Sequence, residues 1–318
     1  MLYSDGEGAD SLRGRDLISI ADLTAHELEV ILSMAARLKR DGWPRALEGK
    51  TIALLFEKPS LRTRVSFDVA MQQLGGHSVY LSQSEVGLGQ REPVADVARV
   101  LSRYVEGIVA RTYAQETLTQ LAEHAGVPVI NALSDIEHPC QALADLLTIR
   151  EAKGGVEGVR IAFIGDGNNV AISLAQAATK AGAHFTIASP PGYRLPEDVL
   201  LDVEGNAAAS GGSLRLIESP EEAVADADVV YTDVWTSMGQ EDAYERRLSA
   251  FASYQVTAEL MGRARPDAVF MHDLPAHRGE ETVDAVIEGP QSVVFDQAEN
   301  RLHAQRAVLL LLLGEERE

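Results

Sequence analysis

The sequence predicts an α/β protein of two doubly wound parallel-sheet domains, with a C-terminal helix packing back on the first domain. Three observations lead there. Short runs rich in β-branched and aromatic residues alternate with stretches of helical apolar spacing, the pattern of parallel strands covered by helices. A glycine-bearing break, Gly154 to Gly158, precedes a fresh β-run. The chain then ends on a nearly continuous apolar stretch, Ala307 to Leu313, that suits a helix laid over an existing core. With 318 residues, 46% of them hydrophobic, there is material for two cores of ordinary domain size.

The elements follow in order. After a polar leader, Leu28, Val30, Ile31, Met34, Ala35 and Leu38 approximate a helical stripe that stops near Gly42. Thr51–Phe56 is β-rich, 61–74 has helical spacing and stops at Gly75 and Gly76, and His77–Leu81 is a second strand before a glycine-rich loop to Glu92. Helix 94–104, strand Gly107–Arg111, helix 115–125, strand 128–131 and helix 139–152 complete the first domain, residues 1–152. The second domain, 153–299, opens with strand Arg160–Ile164 and continues with helix 168–181, strand His184–Ala188, helix 220–226, and strands 229–232, 268–271 and 292–295. A helix from Asn300 onward, within 300–318, returns to the first domain. In such sheets ligands gather at the carboxyl ends of the strands.

Composition narrows the function classes. The chain carries 28 Lys+Arg against 48 Asp+Glu, a net charge of −20, so the basic footprint of a nucleic-acid or anionic-membrane partner is missing, although a local cationic pocket is compatible with an acidic exterior. Cys140 is the only cysteine, which rules out an intrachain disulfide and fits a reducing compartment. The first residues lack the basic start and apolar run of a secretory signal, and the apolar tail falls short of the roughly 20 residues that span a bilayer. A cytoplasmic protein is expected.

The chemistry concentrates at strand ends. In Phe56–Arg64, Ser60 can cap the helix that follows while exposed backbone N–H groups, Arg62 and Thr63 converge on an anion. The same residues also read as an ordinary capped helix with surface arginines. No Walker pattern is present, so a nucleoside triphosphate is not implied. The turn Ile164–Val170 resembles a dinucleotide fingerprint, but Val170 stands where a small residue belongs and no acidic residue closes the strand ending at Ala188; no cofactor is expected. His272 and His277 with Asp273 lack a His-Glu-x-x-His spacing, and no metal is expected.

The string from Phe56 to Arg64 resembles the phosphate-binding motif of the aspartate/ornithine carbamoyltransferase family, with Leu61 where that family has Thr. Further resemblances follow in the family's order: Gly89–Leu101, Ala110–Thr112, His138–Asp145, Gly165–Asn169, Asp233–Gly239, His272–Pro275 and Phe295–Arg301. The resemblance implies that Ser60, Leu61, Arg62, Thr63, Arg111, His138, Gln141 and Arg301 hold carbamoyl phosphate, with Arg111 and His138 among the catalytic groups. Attack by an amine throws negative charge onto the carbamoyl oxygen, so preplaced donors favour the transition state.

In the second domain, Asp233–Gly239 is similar to the segment that grips the amino acid in the family's ornithine branch. It implies an ornithine site made by Asn169, Asp233, Ser237, Met238, Asp273 and Leu274, and a product, L-citrulline, on the way to arginine. Asp273 departs from the pattern, because the ornithine branch has Cys there. A carboxylate about 4 Å from the δ-ammonium favours the charged amine by about 4 kcal/mol at an effective dielectric near 20. That helps capture and hinders attack unless Asp273 also takes the proton, which makes it the third candidate catalytic residue. The family forms homotrimers or multiples of them, and the resemblance implies that the loop 87–93, with Gln90 and Arg91, completes a neighbour's site. Other acceptors (putrescine, lysine, N-acylornithine), a dinucleotide-dependent oxidoreductase and a catalytically silent relative remain open at this level.

Overall fold

A computed structural model describes residues 11–236 and 241–314. By packing, the chain divides into two compact units, Met1–Ala144 with Asn300–Glu318, and Asp145–Glu299.

The first unit begins with α1 (Ala25–Asp41), started by a capping box in which the Glu27 amide donates to Thr24 Oγ1 at 3.1 Å and the Thr24 amide to Glu27 Oε2 at 2.9 Å. There follow β1 (Thr51–Phe56), α2 (Leu61–Gln73), β2 (His77–Ser82), a single turn α3 (Gln83–Val86), α4 (Val94–Leu101), β3 (Gly107–Arg111), α5 (Gln115–His124), β4 (Val129–Leu133) and the start of α6 (Pro139–Lys153). The four strands form a parallel sheet in the order β2-β1-β3-β4. β1 and β3 are buried almost throughout, as strands covered on both faces must be, and therefore show runs of apolar residues rather than alternation.

In the second unit β5 (Arg160–Ile164), α7 (Asn169–Lys180), β6 (His184–Ala188), α8 (Glu197–Ser210), β7 (Ser213–Ile217), α9 (Pro220–Val224) and β8 (Val229–Tyr231) precede α10 (Tyr244–Phe251), α11 (Ala258–Met261), β9 (Val269–Met271) and α12 (Asp284–Ile287). Its sheet is parallel, ordered β7-β6-β5-β8-β9. Both units are thus doubly wound. The last helix, α13 (Val294–Leu313), ends on the first unit: Lys50 Nζ donates to Leu313 O at 2.7 Å, the Gly14 amide donates to Leu312 O at 3.0 Å, and Ala307–Leu313 are all buried.

Two expectations are corrected. The stretch 292–295 is not a strand. Only a single bridge joins Ser292 to Phe270, and Val294 already opens α13, burying its side chain while Phe295 points outward. The stretch 189–219, blank in the sequence reading, holds α8 and the edge strand β7. None of the helices among the described residues is long and apolar enough to cross a membrane.

Candidate active site

In the first unit the chain leaves β1 toward β2 on one side and later returns to β3 on the other, so the ends of β1 and β3 form the topological switch point. The Glu57 amide donates to Arg111 O at 2.8 Å and ties the two strand ends together. Ser60, in extended conformation, caps α2 by accepting the Thr63 amide on Oγ at 3.2 Å. Leu61 is 75% exposed, so any contribution it makes to an anion is through its backbone N–H. Arg111 closes β3 where the register to β4 slips by one residue, the extra residue lying on β4, and it is buried.

Arg301, from α13, is buried and spans two partners: Nη1 donates to Gln141 Oε1 at 2.8 Å and Nη2 to Thr63 Oγ1 at 2.7 Å. His138, just before α6, is buried among these groups. Burial, and then the charges of Arg301, Arg111 and Arg62, hold its ring well below the ordinary imidazole range, so it is neutral. Three guanidiniums from three elements, one neutral imidazole and a capped helix start therefore converge at one strand end. Such a set can receive an anion bearing a carbonyl oxygen. Neighbouring Cys140 is inert, its thiol pushed up to about 12 by burial with Arg301 opposing.

Gln90 and Arg91 lie on an exposed turn. Gly87 and Gly89 take left-handed φ values of 65° and 71°, and Arg91 Nη1 reaches Glu85 O at 3.4 Å.

In the second unit the switch point lies between the ends of β5 and β8. Thr232 Oγ1 donates to Ile164 O at 2.7 Å. Asn168 caps α7, its Oδ1 accepting the Val170 and Ala171 amides at 3.1 Å each, while its Nδ2 donates to Asp233 Oδ2 at 2.7 Å. The amide of Val234 donates to Asp233 Oδ1 at 2.6 Å. Asp233 is buried. Burial, then the nearby Asp273 charge, hold its carboxyl well above the usual carboxylate range, with His272 and the Asn168 bond pulling the other way. Arg247, also buried, donates to Trp235 O and pairs with Asp166, joining the turn after β5 to the segment after β8.

At the end of β9, His272 is fully buried. Burial opposes a charge on its ring, and the carboxylates of Asp273 and Glu281 favour one strongly enough to push it up to about 10. The hydrogen bonds decide for the neutral ring. The Leu274 amide donates to Nδ1 at 2.9 Å, which needs a lone pair there, leaving the proton on Nε2 for Glu281 Oε1 at 3.0 Å. Leu274 holds a left-handed φ of 58°, a costly position for a leucine that this bond fixes. Asp233, His272 and Asp273 bring their polar atoms within 4.8 Å of one another, in the manner of metal ligands. Both ring nitrogens of His272 are already engaged, so the trio suits a cationic amine better than a metal ion.

Comparison with known proteins adds the ancestry. Residues 15–151 match the model of the aspartate/ornithine carbamoyltransferase carbamoyl-P binding domain, and 157–312 that of the Asp/Orn binding domain. The chain belongs to the aspartate/ornithine carbamoyltransferase family. An ornithine carbamoyltransferase of Pyrococcus abyssi is 56% identical over 308 residues, covering 96% of this chain and 97% of that protein. The solved structure of the Pyrococcus furiosus ornithine carbamoyltransferase superposes with a TM-score of 0.93 at 55% identity, covering 96% of this chain and 99% of that one. An N-acetyl-L-ornithine transcarbamylase mutant complexed with PALAO gives 0.87 at 34% identity, covering 94% and 99%.

Within this carbamoyltransferase-family chain, Ser60, Thr63, Gln141 and Arg301 are joined by hydrogen bonds, directly or through one another, and Arg62 and Arg111 act on His138 by charge. Asp233 and Asp273 lie together, with Leu274 anchored beside them on His272. Ser237 and Met238 lie outside the described residues. Asn169 is half-buried at the start of α7, and Asn168 just before it, which sequence reasoning did not select, is bonded to Asp233. The signal was present, since an Asn after a glycine turn at a helix start is a favoured cap. Arg247 and Glu281 were missed: Arg247 finds Asp166 far away in sequence, and Glu281, although only nine residues from His272, reaches it by the turn between them and by no recurring spacing.

Proposed function

We propose that this chain transfers the carbamoyl group of carbamoyl phosphate to the δ-amine of L-ornithine, giving L-citrulline and phosphate for arginine biosynthesis. The observation that carries this reading is the convergence of Arg62, Arg111 and Arg301 on a neutral, buried His138 at the capped start of α2. Ser60, the Leu61 amide, Arg62 and Thr63 hold the phosphate. Arg111, His138 and Gln141 hold the carbamoyl group, and Arg301 links the two through Thr63 and Gln141. The neutral imidazole donates to the carbamoyl oxygen without competing with the guanidiniums for the phosphate charge.

Asp233, Asn169, Ser237 and Met238 take the α-amino acid end of ornithine, and Asp273 with Leu274 takes the side-chain amine. The δ-nitrogen lone pair attacks the carbamoyl carbon, the bond from that carbon to the bridging oxygen breaks, and phosphate leaves with the electron pair. The δ-ammonium sheds two protons in all: Asp273 accepts the one whose loss frees the lone pair, and the second, shed as the C–N bond forms, leaves with the phosphate. An N-acylornithine, whose α-nitrogen is an uncharged amide, leaves Asp233 facing no cation, which favours ornithine over it. The carbamoyl phosphate domain is 1–152 with 300–318 and the ornithine domain 153–299. We place the enzyme in the cytoplasm as a homotrimer or multiple of trimers, with Gln90 and Arg91 serving a neighbour; sedimentation equilibrium tests the assembly.

The deciding assay is citrulline formed from the two substrates. Arg62→Ala lowers kcat/KM by about 10²–10³-fold, the usual loss for one charge-stabilising donor, with melting temperature little changed. A wild-type enzyme that makes no citrulline refutes the proposal.

A further inference from the structure

The loop after β9 gathers a second set of ligand-type groups, made of other residues than the Asp233 trio. His277, Glu280 and Glu281 each bring one such atom to within 4.8 Å of the others. His277 Nδ1 lies 3.6 Å from Glu280 Oε2. The His-Glu-x-x-His spacing that the sequence lacks needs two histidines on a helix; here one histidine is joined by two carboxylates on a turn.

The carboxylate oxygens divide into two kinds. Glu281 is fully buried, and its Oε1 accepts from His272 Nε2 at 3.0 Å and from the His277 amide at 2.6 Å. Glu280 Oε1 accepts from the Tyr244 hydroxyl at 2.7 Å. That leaves Oε2 of each glutamate, and both are buried atoms that accept no hydrogen bond. A carboxylate oxygen shut off from water without a donor is costly unless a cation meets it. No arginine or lysine among the described residues pairs with either glutamate. The one arginine in the turn, Arg278, reaches away to Asp284 Oδ1 and Glu288 Oε1 at 2.7 Å each.

The turn is fixed by its own hydrogen bonds. Gly279, at a left-handed φ of 99°, donates its amide to Thr282 O at 2.7 Å, and the Glu280 amide donates to His277 O at 2.9 Å. Gln255 Nε2 donates to the carbonyls of Gly279 and Glu280 at 2.8 and 2.7 Å, and the Val256 amide to Glu281 O at 2.8 Å. The three side chains therefore stand on a settled backbone, and the other oxygen of each glutamate is held by a donor, as ligating carboxylates are in metal sites. The His277 side chain is 44% exposed and gives an ion its way in from solvent.

We infer that His277, Glu280 and Glu281 form a binding site for a divalent transition-metal ion such as zinc, held by one imidazole nitrogen and two carboxylate oxygens with water completing its shell. Ligands about 2.0–2.2 Å from a tetrahedral ion stand about 3.3–3.6 Å apart, close to the separation of His277 Nδ1 and Glu280 Oε2. Two carboxylates balance the charge of the ion. Mixed imidazole and carboxylate donors suit zinc, cobalt or nickel better than calcium or magnesium, which take oxygen ligands. The ion fastens the turn to Tyr244 through Glu280 and to His272 through Glu281, and takes no part in carbamoyl transfer itself.

The test uses the whole chain, treated with a chelator and then dialysed, at about pH 7.5, where protons compete little for such ligands. Equilibrium dialysis against zinc chloride retains one ion per chain in the wild type, and cobalt(II) in its place gives the intense visible bands of a four-coordinate site. His277→Ala and Glu280→Gln, both at partly exposed positions, each weaken retention by about 10²-fold or more and abolish the cobalt bands. Zinc raises the melting temperature of the wild type and leaves those of the two variants unchanged. Asp273→Asn keeps both the retention and the bands, since the ion does not sit in the Asp233 trio. A wild type that retains no stoichiometric ion overturns the inference. So does retention that survives both turn substitutions, or that is lost with Asp273→Asn.

Discussion

A histidine ringed by three guanidiniums and cut off from water keeps its lone pair, and this has a consequence for stability as well as for binding. Burial first, then Arg301, Arg111 and Arg62, depress the His138 pKa well below the ordinary 6.5. The unfolded chain therefore takes up a proton at a pH where the native ring does not. The stabilisation from a neutral His138 is complete above 6.5 and is lost as pH falls from there toward the folded pKa. The loss has a limiting slope of about 1.4 kcal/mol per pH unit for this one group. His138→Gln, which keeps a polar side chain and removes the titration, flattens the acid limb of stability by that slope. Urea midpoints measured across about pH 7 to 5 check it, and parallel acid limbs for the two proteins contradict it. Carbamoyl transfer by the wild type meanwhile shows no titration attributable to His138 near neutrality.

The strand-to-helix turns after β1 and β5 do similar work with different residues. Ser60 caps α2 with a hydroxyl and leaves a cationic cradle beside it, whereas Asn168 caps α7 and spends its amide nitrogen on Asp233. Asn168→Ala removes both bonds. The lost cap costs about 1 kcal/mol of stability, and ornithine KM rises while the KM for carbamoyl phosphate stays put. Denaturation curves with separate KM values read the two effects; equal changes in both KM values contradict the assignment. The strands feeding these turns were legible as apolar runs because strands buried on both faces need them, as β1 and β5 show. β7 was not, since it is a half-buried edge whose Arg215 faces outward, and α8 follows Pro190, Pro191 and Pro196, which signal a loop. The capped start of α2 was legible because Ser60–Arg64 is one contiguous string. The neutral state of His272 was not, because it depends on the left-handed turn at Leu274 and on Glu281, neither of which a local pattern announces.

At the scale of the whole molecule, the net charge of −20 and the choice of cations belong together. Of the 28 basic residues only five are lysines, and none of those five is exposed: Lys39 bonds to Asn300, Lys50 to Leu313 O and Lys153 to Asp267, Lys58 lies over the Tyr113 ring, and Lys180 is half-buried at the end of α7. The outer surface is thus left to arginines, many already paired, and to a large excess of carboxylates. On α8, Glu197, Asp198, Asp202 and Glu204 are all exposed with no basic residue in the helix; the first two complement its N-terminus, but Asp202 sits one turn beyond Asp198 and repels it. Self-repulsion of this kind weakens the compact state, and salt screens it, the Debye length falling from about 10 Å at 0.1 M to about 3 Å at 1 M. The melting temperature therefore rises by several degrees as potassium chloride is raised over about that range, the reverse of what a protein relying on surface ion pairs shows. The paired variant Asp202→Asn/Glu204→Gln isolates the cause. It is more stable than the wild type at low salt and gains less from added salt, so the two melting curves converge as salt rises. A salt response that is unchanged in the variant would place the effect in general exclusion from the surface rather than in charge.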